Sequence, residues 1–197
     1  VIVPDFTMIA SANSVIWAGG TPVLVDVDEK SLCLDLEKAE KAITKKTKAI
    51  VFVSLNGRAA NMEALLDLCR KHGLILIEDA AQSLGARYKG KHMGTFGAVG
   101  SFSFSAPKII TTGQGGALVT DRADLYEAII QIRDFGRKKP GVDEYVSLGY
   151  NMKFTDIQAV IGIEQMKKLE ERVERKKSIY RCYFKNLEHV PYVRFIR

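Results

Sequence analysis

The chain has 197 residues, which fits one α/β domain and excludes a large multidomain machine. Hydrophobic residues make up 47% and charged residues 26%, so the chain can form a sizeable core and is not disordered throughout. The formal net charge of +6 suggests an anionic partner. This excess lies entirely at residues 166–197, which hold ten basic and four acidic side chains.

The predicted strands are short runs rich in β-branched residues. The chain opens in such a run, at residues 1–5, without a methionine, and we expect it to be a piece of a longer protein. Five further runs follow, at residues 22–27, 49–54, 74–78, 99–104 and 117–120. The second and third of these five are apolar on both faces, as expected for strands buried in a parallel sheet.

The segments between the strands carry apolar residues at helical spacing. Helices are predicted at residues 35–44, 61–72 and 121–134, and along one long stretch from 156 toward 174 or beyond. Gly73 follows the second helix as a stop signal, and Thr155 is suited to cap the last. Residues 135–146 are a predicted loop. Strands and helices therefore alternate, which predicts an α/β fold with a doubly wound sheet.

Several protein classes are excluded by what the sequence lacks. Cys33, Cys69 and Cys182 are widely spaced and odd in number, so we expect neither a disulfide framework nor a metal site, and a cytoplasmic location. No apolar run approaches the roughly 20 residues of a membrane helix, and no signal-peptide pattern opens the chain. The basic C-terminal stretch lacks the common nucleic-acid-binding motifs, so we expect no nucleic-acid partner.

Candidate functional residues come where strands end, because ligands of open α/β sheets bind beyond the carboxyl ends of the strands. The apolar run at residues 74–77 leads into Glu78 and Asp79, and Gln82 follows three residues later. An isolated pair of acids at such a place more often caps the next helix or binds magnesium. A second segment is needed to decide between these interpretations.

That second segment is the strand at residues 99–104, where hydroxyl and aromatic side chains alternate. Lys108 follows it, and a glycine-rich turn comes after the lysine at residues 111–116. A lone lysine after a strand is usually a solvated surface residue, but this one lies between a proline and the turn. The turn lacks the order of a P-loop, so it does not indicate an NTPase.

Together the two segments hold the groups that pyridoxal 5'-phosphate chemistry needs. That cofactor requires a lysine amine to hold its aldehyde as a Schiff base, and a carboxylate to keep its pyridine nitrogen protonated. Lys108 and Asp79 fit these two roles. Gln82 and Ser103 are candidates for contacts to the phenolic oxygen and the phosphate. Seen alone, Ser103 is as readily a strand hydroxyl and Gln82 a solvated helix residue.

In their order and spacing these motifs resemble the DegT/DnrJ/StrS sugar aminotransferases, a family of fold-type I enzymes that depend on pyridoxal phosphate. The matching segments are residues 78–85, 94–97, 101–108, 111–116, 148–151 and 155–159. The resemblance implies the three-layer α/β/α large domain of the aspartate aminotransferase superfamily, truncated at its N-terminus and covering residues 1–175. Residues 176–197 would begin the connection to a C-terminal small domain.

The resemblance also implies roles for single residues. Lys108 would bind the cofactor covalently, Asp79 would pair with its pyridine nitrogen, Gln82 would contact its phenolic oxygen and Ser103 its phosphate. Asn151, or Lys153 in a place where arginine is frequent, would reach the phosphate bound by the other subunit of a homodimer with shared active sites. Met8 lies where the family usually stacks an aromatic on the cofactor ring.

The implied activity is transfer of an amino group from L-glutamate to a nucleotide-linked keto sugar in polysaccharide biosynthesis. An NDP-4-keto-6-deoxyhexose is the expected acceptor, because the chain resembles perosamine-synthase-type members. The related sugar dehydratases carry histidine where this chain has Lys108. Two alternatives stay open: another fold-type I enzyme such as a lyase or desulfurase, and a noncatalytic fragment.

Overall fold

A six-stranded sheet forms the centre of the fold. The computed structural model describes residues 1–196. Its strands are β1 (Ile2–Pro4), β2 (Val23–Val25), β3 (Ala49–Val53), β4 (Ile75–Asp79), β5 (Arg87–Tyr88), β6 (Lys91–His92), β7 (Val99–Ser103) and β8 (Gly116–Val119). The sheet has the order β2-β1-β3-β4-β7-β8, parallel except for the antiparallel pair of β7 with β8, while β5 and β6 form a separate hairpin. The predicted α/β architecture is confirmed.

Within residues 1–196, six α-helices and one short 3-10 helix at Leu55–Gly57 connect and cover the strands. The α-helices are α1 (Ala10–Trp17), α2 (Leu36–Ala42), α3 (Met62–His72), α4 (Ala123–Arg133), α5 (Asp156–Met166) and α6 (Leu169–Leu187). Asn61 caps α3 through its side chain, and Gly73 ends that helix with a φ of 62°, a left-handed conformation that glycine adopts without strain. Thr155 forms a capping box with Gln158 at the start of α5. Both predicted helix ends are confirmed.

The main core lies between β3 and the helix α3. Ile50 and Phe52 of β3 are fully buried, as are Met62 and Leu65 of α3. Leu68 is buried on the same helix face, whereas Leu66 is only partly buried. The buried residues of α3 therefore lie on one face of the helix, as its apolar spacing predicts.

Three parts of the fold differ from the sequence prediction. The long helix expected from residue 156 is broken, because the backbone N–H of Lys168 bonds to the carbonyl of Gln165 in a tight three-residue turn. Helix α1 was not predicted, since its residues include serines and asparagine and it has no side-chain cap. The hairpin of β5 and β6 was also missed, because its strands have only two residues each.

The parallel strands end at one edge of the sheet. Val53 of β3 is in register with Asp79 of β4, and Asp79 is in register with Ser101 of β7. Ser103 lies two residues further along β7, at the end of that strand. Because parallel strands point their carboxyl ends the same way, Asp79 and Ser103 lie at the same edge.

None of the helices within residues 1–196 combines the length and apolar character needed to cross a membrane.

Candidate active site

The carboxylate of Asp79 is held from two sides at the end of β4. Ser11 of α1 donates a hydrogen bond of 2.7 Å from Oγ to Oδ2 of Asp79. The backbone N–H of Ala81 donates to Oδ1 at 3.1 Å. Ser11 is only 4% exposed, and Asp79 is half-buried. Asp79 thus organises the following turn and caps no helix, because no helix begins within residues 80–98. Its second oxygen is fixed by α1, a helix that was not predicted.

The neighbouring acid, Glu78, is fully buried and satisfied by backbone N–H groups. Oε2 accepts from Gly94 at 2.7 Å, and Oε1 accepts from Phe96 at 2.5 Å and Gly97 at 2.6 Å. A Cβ on Gly100 would lie only 1.9 Å from the carbonyl oxygen of Gly94, so this turn packs directly on β7. Glu78 therefore ties the turn at residues 94–97 beneath the site.

A cavity of about 830 Å³ opens beyond the ends of β4 and β7. It brings together three of the residues predicted for the site: Gln82, Ser103 and Lys108. Asp79 does not line the cavity itself, but its carboxylate bonds to the N–H of Ala81, which does. Among residues 1–196 no cluster of three or more His, Cys, Asp or Glu side chains is placed to hold a metal ion.

The charged side chains that line the cavity are all positive. Arg87, Lys176 and Lys177 line the cavity together with Lys108. None of its lining residues, which all lie between positions 56 and 177, is acidic. Such a wall favours an anionic ligand such as a phosphate ester. The excess positive charge at residues 166–197 is visible in the sequence. That two lysines of α6 line the cavity was not predicted.

Short polar contacts hold the cavity-lining side chains in place. The hydroxyls of Ser103 and Ser105 lie 3.1 Å apart, and the N–H of Lys108 donates to the carbonyl of Ser105 at 3.1 Å. Oε1 of Gln82 accepts from the N–H of Asn56 at 3.1 Å. That bond leaves the amide NH₂ of Gln82 as a donor for a ligand. Lys108 itself is half-buried, so its amine can reach the cavity from a partly shielded position.

Three residues predicted for the site do not line this cavity: Asp79, Met8 and Asn151. The side chain of Met8 is 65% exposed, and Asn151 is exposed where it bridges to Asp134. Lys153, the alternative to Asn151, places Nζ 2.6 Å from Oδ1 of Asp134 and 4.7 Å from the centre of the Phe135 ring. The hydrogen bond from Lys153 lowers the pKa of Asp134. The roles expected for Met8, Asn151 and Lys153 stay predictions.

The sequence pattern of the DegT/DnrJ/EryC1/StrS aminotransferase family matches residues 1–197. The chain belongs to this family. GDP-perosamine synthase of Caulobacter vibrioides is 42% identical over 187 residues, which cover 95% of this chain and 50% of that protein. The resemblance predicted from the motifs is therefore confirmed.

Solved structures of other enzymes share the fold. PseC of Helicobacter pylori, an aminotransferase involved in the biosynthesis of pseudoaminic acid, has a TM-score of 0.91 at 32% identity, over 97% of this chain and 52% of that one. GDP-4-keto-6-deoxy-D-mannose-3-dehydratase of E. coli, with bound hydrated PLP, has a TM-score of 0.88 at 31% identity, over 100% of this chain and 55% of that one.

The chain spans about half the length of the curated relatives it matches. Over that half, its sheet and covering helices are the three-layer α/β/α arrangement of fold-type I enzymes, as predicted.

Proposed function

We propose that the protein is a pyridoxal-phosphate-dependent aminotransferase that moves the amino group of L-glutamate to a nucleotide-linked keto sugar. The observation that carries this proposal is the cationic cavity that Lys108 lines with Gln82 and Ser103. The doubly held carboxylate of Asp79 is joined to it through the N–H of Ala81. Family membership supports the reaction class, and GDP-perosamine synthase among the relatives supports the substrate class.

The donor set of the cavity fits pyridoxal phosphate. We assign Lys108 as the amine that binds the aldehyde and Asp79 as the partner of the pyridine nitrogen. Gln82 offers an amide donor for the phenolic oxygen, and Ser103 offers a hydroxyl for the phosphate. A volume of about 830 Å³ leaves room for a substrate beside the cofactor. When bound, the cofactor supplies an electron sink for the carbon that loses a proton.

Lys108 has a second task in this proposal. Released from the cofactor, its Nζ takes the α-proton of the amino donor and later returns a proton to the amino acceptor. Asp79 keeps its place through Ser11 and the N–H of Ala81, so it meets the pyridine nitrogen without reorganising. Lysine at this position favours transamination over the dehydration named for the E. coli relative.

The acceptor we propose is an NDP-4-keto-6-deoxyhexose. Its diphosphate carries negative charge, which suits a cavity lined by Arg87, Lys176 and Lys177 whose lining residues include no acidic side chain. The chain at residues 54–58, where Asn56 and Gly57 line the cavity, is where contacts to different sugars are expected to vary. The product would enter polysaccharide biosynthesis.

The experiment follows amino transfer from L-glutamate by the protein loaded with pyridoxal phosphate. We expect 2-oxoglutarate and an amino sugar with wild type, and no product with Lys108→Ala. Lys185→Ala, on the exposed last turn of α6, is the matched control and stays active. Release of sulfide from cysteine without amino transfer would instead support the desulfurase alternative. A chain that forms no product and binds no cofactor would support the noncatalytic fragment.

We propose that the protein acts as a homodimer with shared active sites. A broad set of apolar side chains is exposed, including Trp17 at 85% and Ile157 at 76%, and such patches mark interfaces. Other members of this set are Leu148, Tyr150, Val160 and Ile163. They lie on α1, on α5 and on the segment before α5 that carries Asn151. In this arrangement Asn151 or Lys153 reaches the partner's phosphate, and Met8 packs on the cofactor ring.

Complementation tests the shared site. Variants Lys108→Ala and Asn151→Ala, each inactive alone, regain activity when mixed if each site draws residues from two subunits. The variant Ile157→Asp is expected to lower the mass measured by sedimentation from dimer to monomer. Mixed variants that stay inactive while the wild type sediments as a dimer would contradict the sharing.

We propose residues 1–175 as the large domain and 176–197 as the start of a connection to a small domain. The boundary lies inside α6, which continues to Leu187, and Arg197 lies outside the described residues. A cytoplasmic setting is part of the proposal, supported by Cys33, Cys69 and Cys182 being free.

A further inference from the structure

Three polar side chains lie seven residues apart along α5 and α6: Gln158, Gln165 and Arg172. Seven residues are close to two turns of α-helix, so side chains at this spacing share one face. The spacing is kept across the turn at Lys168 that separates the two helices. We call these three residues the polar stripe.

Each member of the polar stripe bonds to the backbone of the loop that carries Lys108. Nε2 of Gln158 donates to the carbonyl of Gln114 at 2.7 Å. Oε1 of Gln165 accepts from the N–H of Thr111 at 3.4 Å. Nη1 of Arg172 donates to the carbonyl of Ile109 at 2.9 Å.

The polar stripe and the loop that carries Lys108 run antiparallel to each other. As the stripe ascends from residue 158 to 172, its partners descend from residue 114 to 109. Nη1 of Arg172 also donates to Oε1 of Gln165 at 2.6 Å, which links two of the three contacts into one network. The stripe therefore lies along the loop as a continuous support and ends at the residue next to Lys108.

The loop needs such a support because it has no regular structure of its own. Between β7 and β8 it is held by the bond from the N–H of Lys108 to Ser105 and by the bond from the N–H of Thr112 to Phe104. Ile110 is buried and anchors the loop from inside. The Ile109 carbonyl lies between these anchors, and a charged guanidinium makes a stronger hydrogen bond to it than a neutral donor would.

We propose that the polar stripe is a positioning clamp that sets where the Lys108 amine lies, with Arg172 as its principal residue. The clamp rests on the proposed role of Lys108 as the cofactor-binding amine. Arg172 touches neither cofactor nor substrate in this arrangement. It acts through the Ile109 carbonyl, one residue from the reacting side chain, so it is a positioning residue.

Hydrogen exchange of the protein without added cofactor tests the clamp itself. In Arg172→Met we expect the amides at residues 108–112 to exchange about tenfold faster, the effect of losing one charge-assisted hydrogen bond. Arg175→Met is the matched control, since this arginine lies on the same helix but outside the Lys108 cavity. Equal exchange at residues 108–112 in both variants would overturn the proposal.

Kinetics with pyridoxal phosphate tests the consequence for Lys108. In Arg172→Met we expect kcat for the glutamate half-reaction to fall about tenfold while KM changes less than about twofold. Arg172→Lys should restore part of the rate, and Gln165→Met should show a smaller loss in the same direction. A pure loss of folded protein, with unchanged kcat per active site, would contradict the clamp.

The two measurements separate this proposal from the proposed function. A wild-type protein that forms no bond with pyridoxal phosphate would remove the proposed function, and hydrogen exchange would still decide whether the clamp exists. A wild-type protein that transfers amino groups, with Arg172→Met equal to Arg175→Met in exchange and in kcat, would leave the function in place and remove the clamp.

Discussion

The hydroxyl of Ser11 donates a hydrogen bond of 2.7 Å to Oδ2 of Asp79 and so joins two residues that are 68 positions apart in the chain. Ser11 is buried on the first turn of α1, and Asp79 ends β4 at the centre of the sheet. A second contact, from Ser14 Oγ to the carbonyl of Ser11 at 2.9 Å, steadies the same helix. The first helix thereby orients the carboxylate that we assign to the pyridine nitrogen.

Replacing Ser11 by alanine is expected to lower kcat/KM for L-glutamate about tenfold, because one hydrogen bond to a charged carboxylate is lost. Ser11→Thr keeps the hydroxyl and should retain most of the activity. Ser14→Ala removes a hydroxyl from the same helix without touching Asp79 and serves as the control. Equal activity of Ser11→Ala and Ser14→Ala would show that the contact does not orient Asp79.

Replacing Glu78 by glutamine is expected to destabilise the fold by about 3 kcal/mol. The buried carboxylate accepts hydrogen bonds from three backbone N–H groups, and in glutamine one of its oxygens becomes an NH₂ group that cannot accept. Urea unfolding measures this change. Asp67→Asn is the control, because Asp67 pairs with Arg70 at the surface and such pairs contribute less than about 1 kcal/mol. A loss in Glu78→Gln no larger than in Asp67→Asn would contradict the assigned role.

The ion pair of Glu63 with Lys89 is expected to make stability depend on acid pH. Lys89 Nζ lies 2.7 Å from Glu63, and the hydrogen bonds from Lys89 and then Tyr88 lower the pKa of Glu63 from 4.5 to about 2. A lowered folded-state pKa contributes stability above the unfolded value and loses it as pH falls from about 4.5 to about 2.

The measurement is the unfolding free energy of wild type and Glu63→Gln across this range. The difference between them should shrink as pH falls through it, while Glu188→Gln, at an exposed position near the C-terminus, should show no such trend. A difference that stays constant down to about pH 2 would contradict the pKa shift.

The three thiols are expected to differ in reactivity. Burial raises the pKa of Cys33 and of Cys69 to about 11, whereas Cys182 is exposed on α6. At mildly alkaline pH a thiol reagent should therefore modify one cysteine rapidly in the native protein and all three after unfolding. Cys182→Ser should abolish the rapid phase. Two rapidly modified thiols in the native protein would contradict the burial of the core cysteines.

Much of the fold was predictable because hydrophobic spacing and capping residues act locally. Gly73 marks the end of α3 and Thr155 marks the start of α5, as the sequence indicates. The end of α5 was not predictable, since the break at Lys168 lies among good helix formers. Helix α1 was also missed, and its place depends on the tertiary contact between Ser11 and Asp79.

For the site, the sequence provided the residue types but not the contacts between them. Gln82, Ser103 and Lys108 line one cavity, whereas Asp79, Met8 and Asn151 do not. The spacing of seven residues that brings Gln165 and Arg172 to the Lys108 loop is visible in the sequence, yet only the fold shows which backbone it meets. The lysines of α6 at the cavity likewise depend on how that helix packs.

The most direct test of the central claim is borohydride reduction of the protein after incubation with pyridoxal phosphate, followed by peptide mass spectrometry. Borohydride adds hydride to a carbon–nitrogen double bond and makes the link to a lysine permanent. We expect one modified residue, Lys108, and no stable adduct in Lys108→Arg. An adduct on Lys176 or Lys177 instead, or no adduct on the wild-type chain, would contradict it.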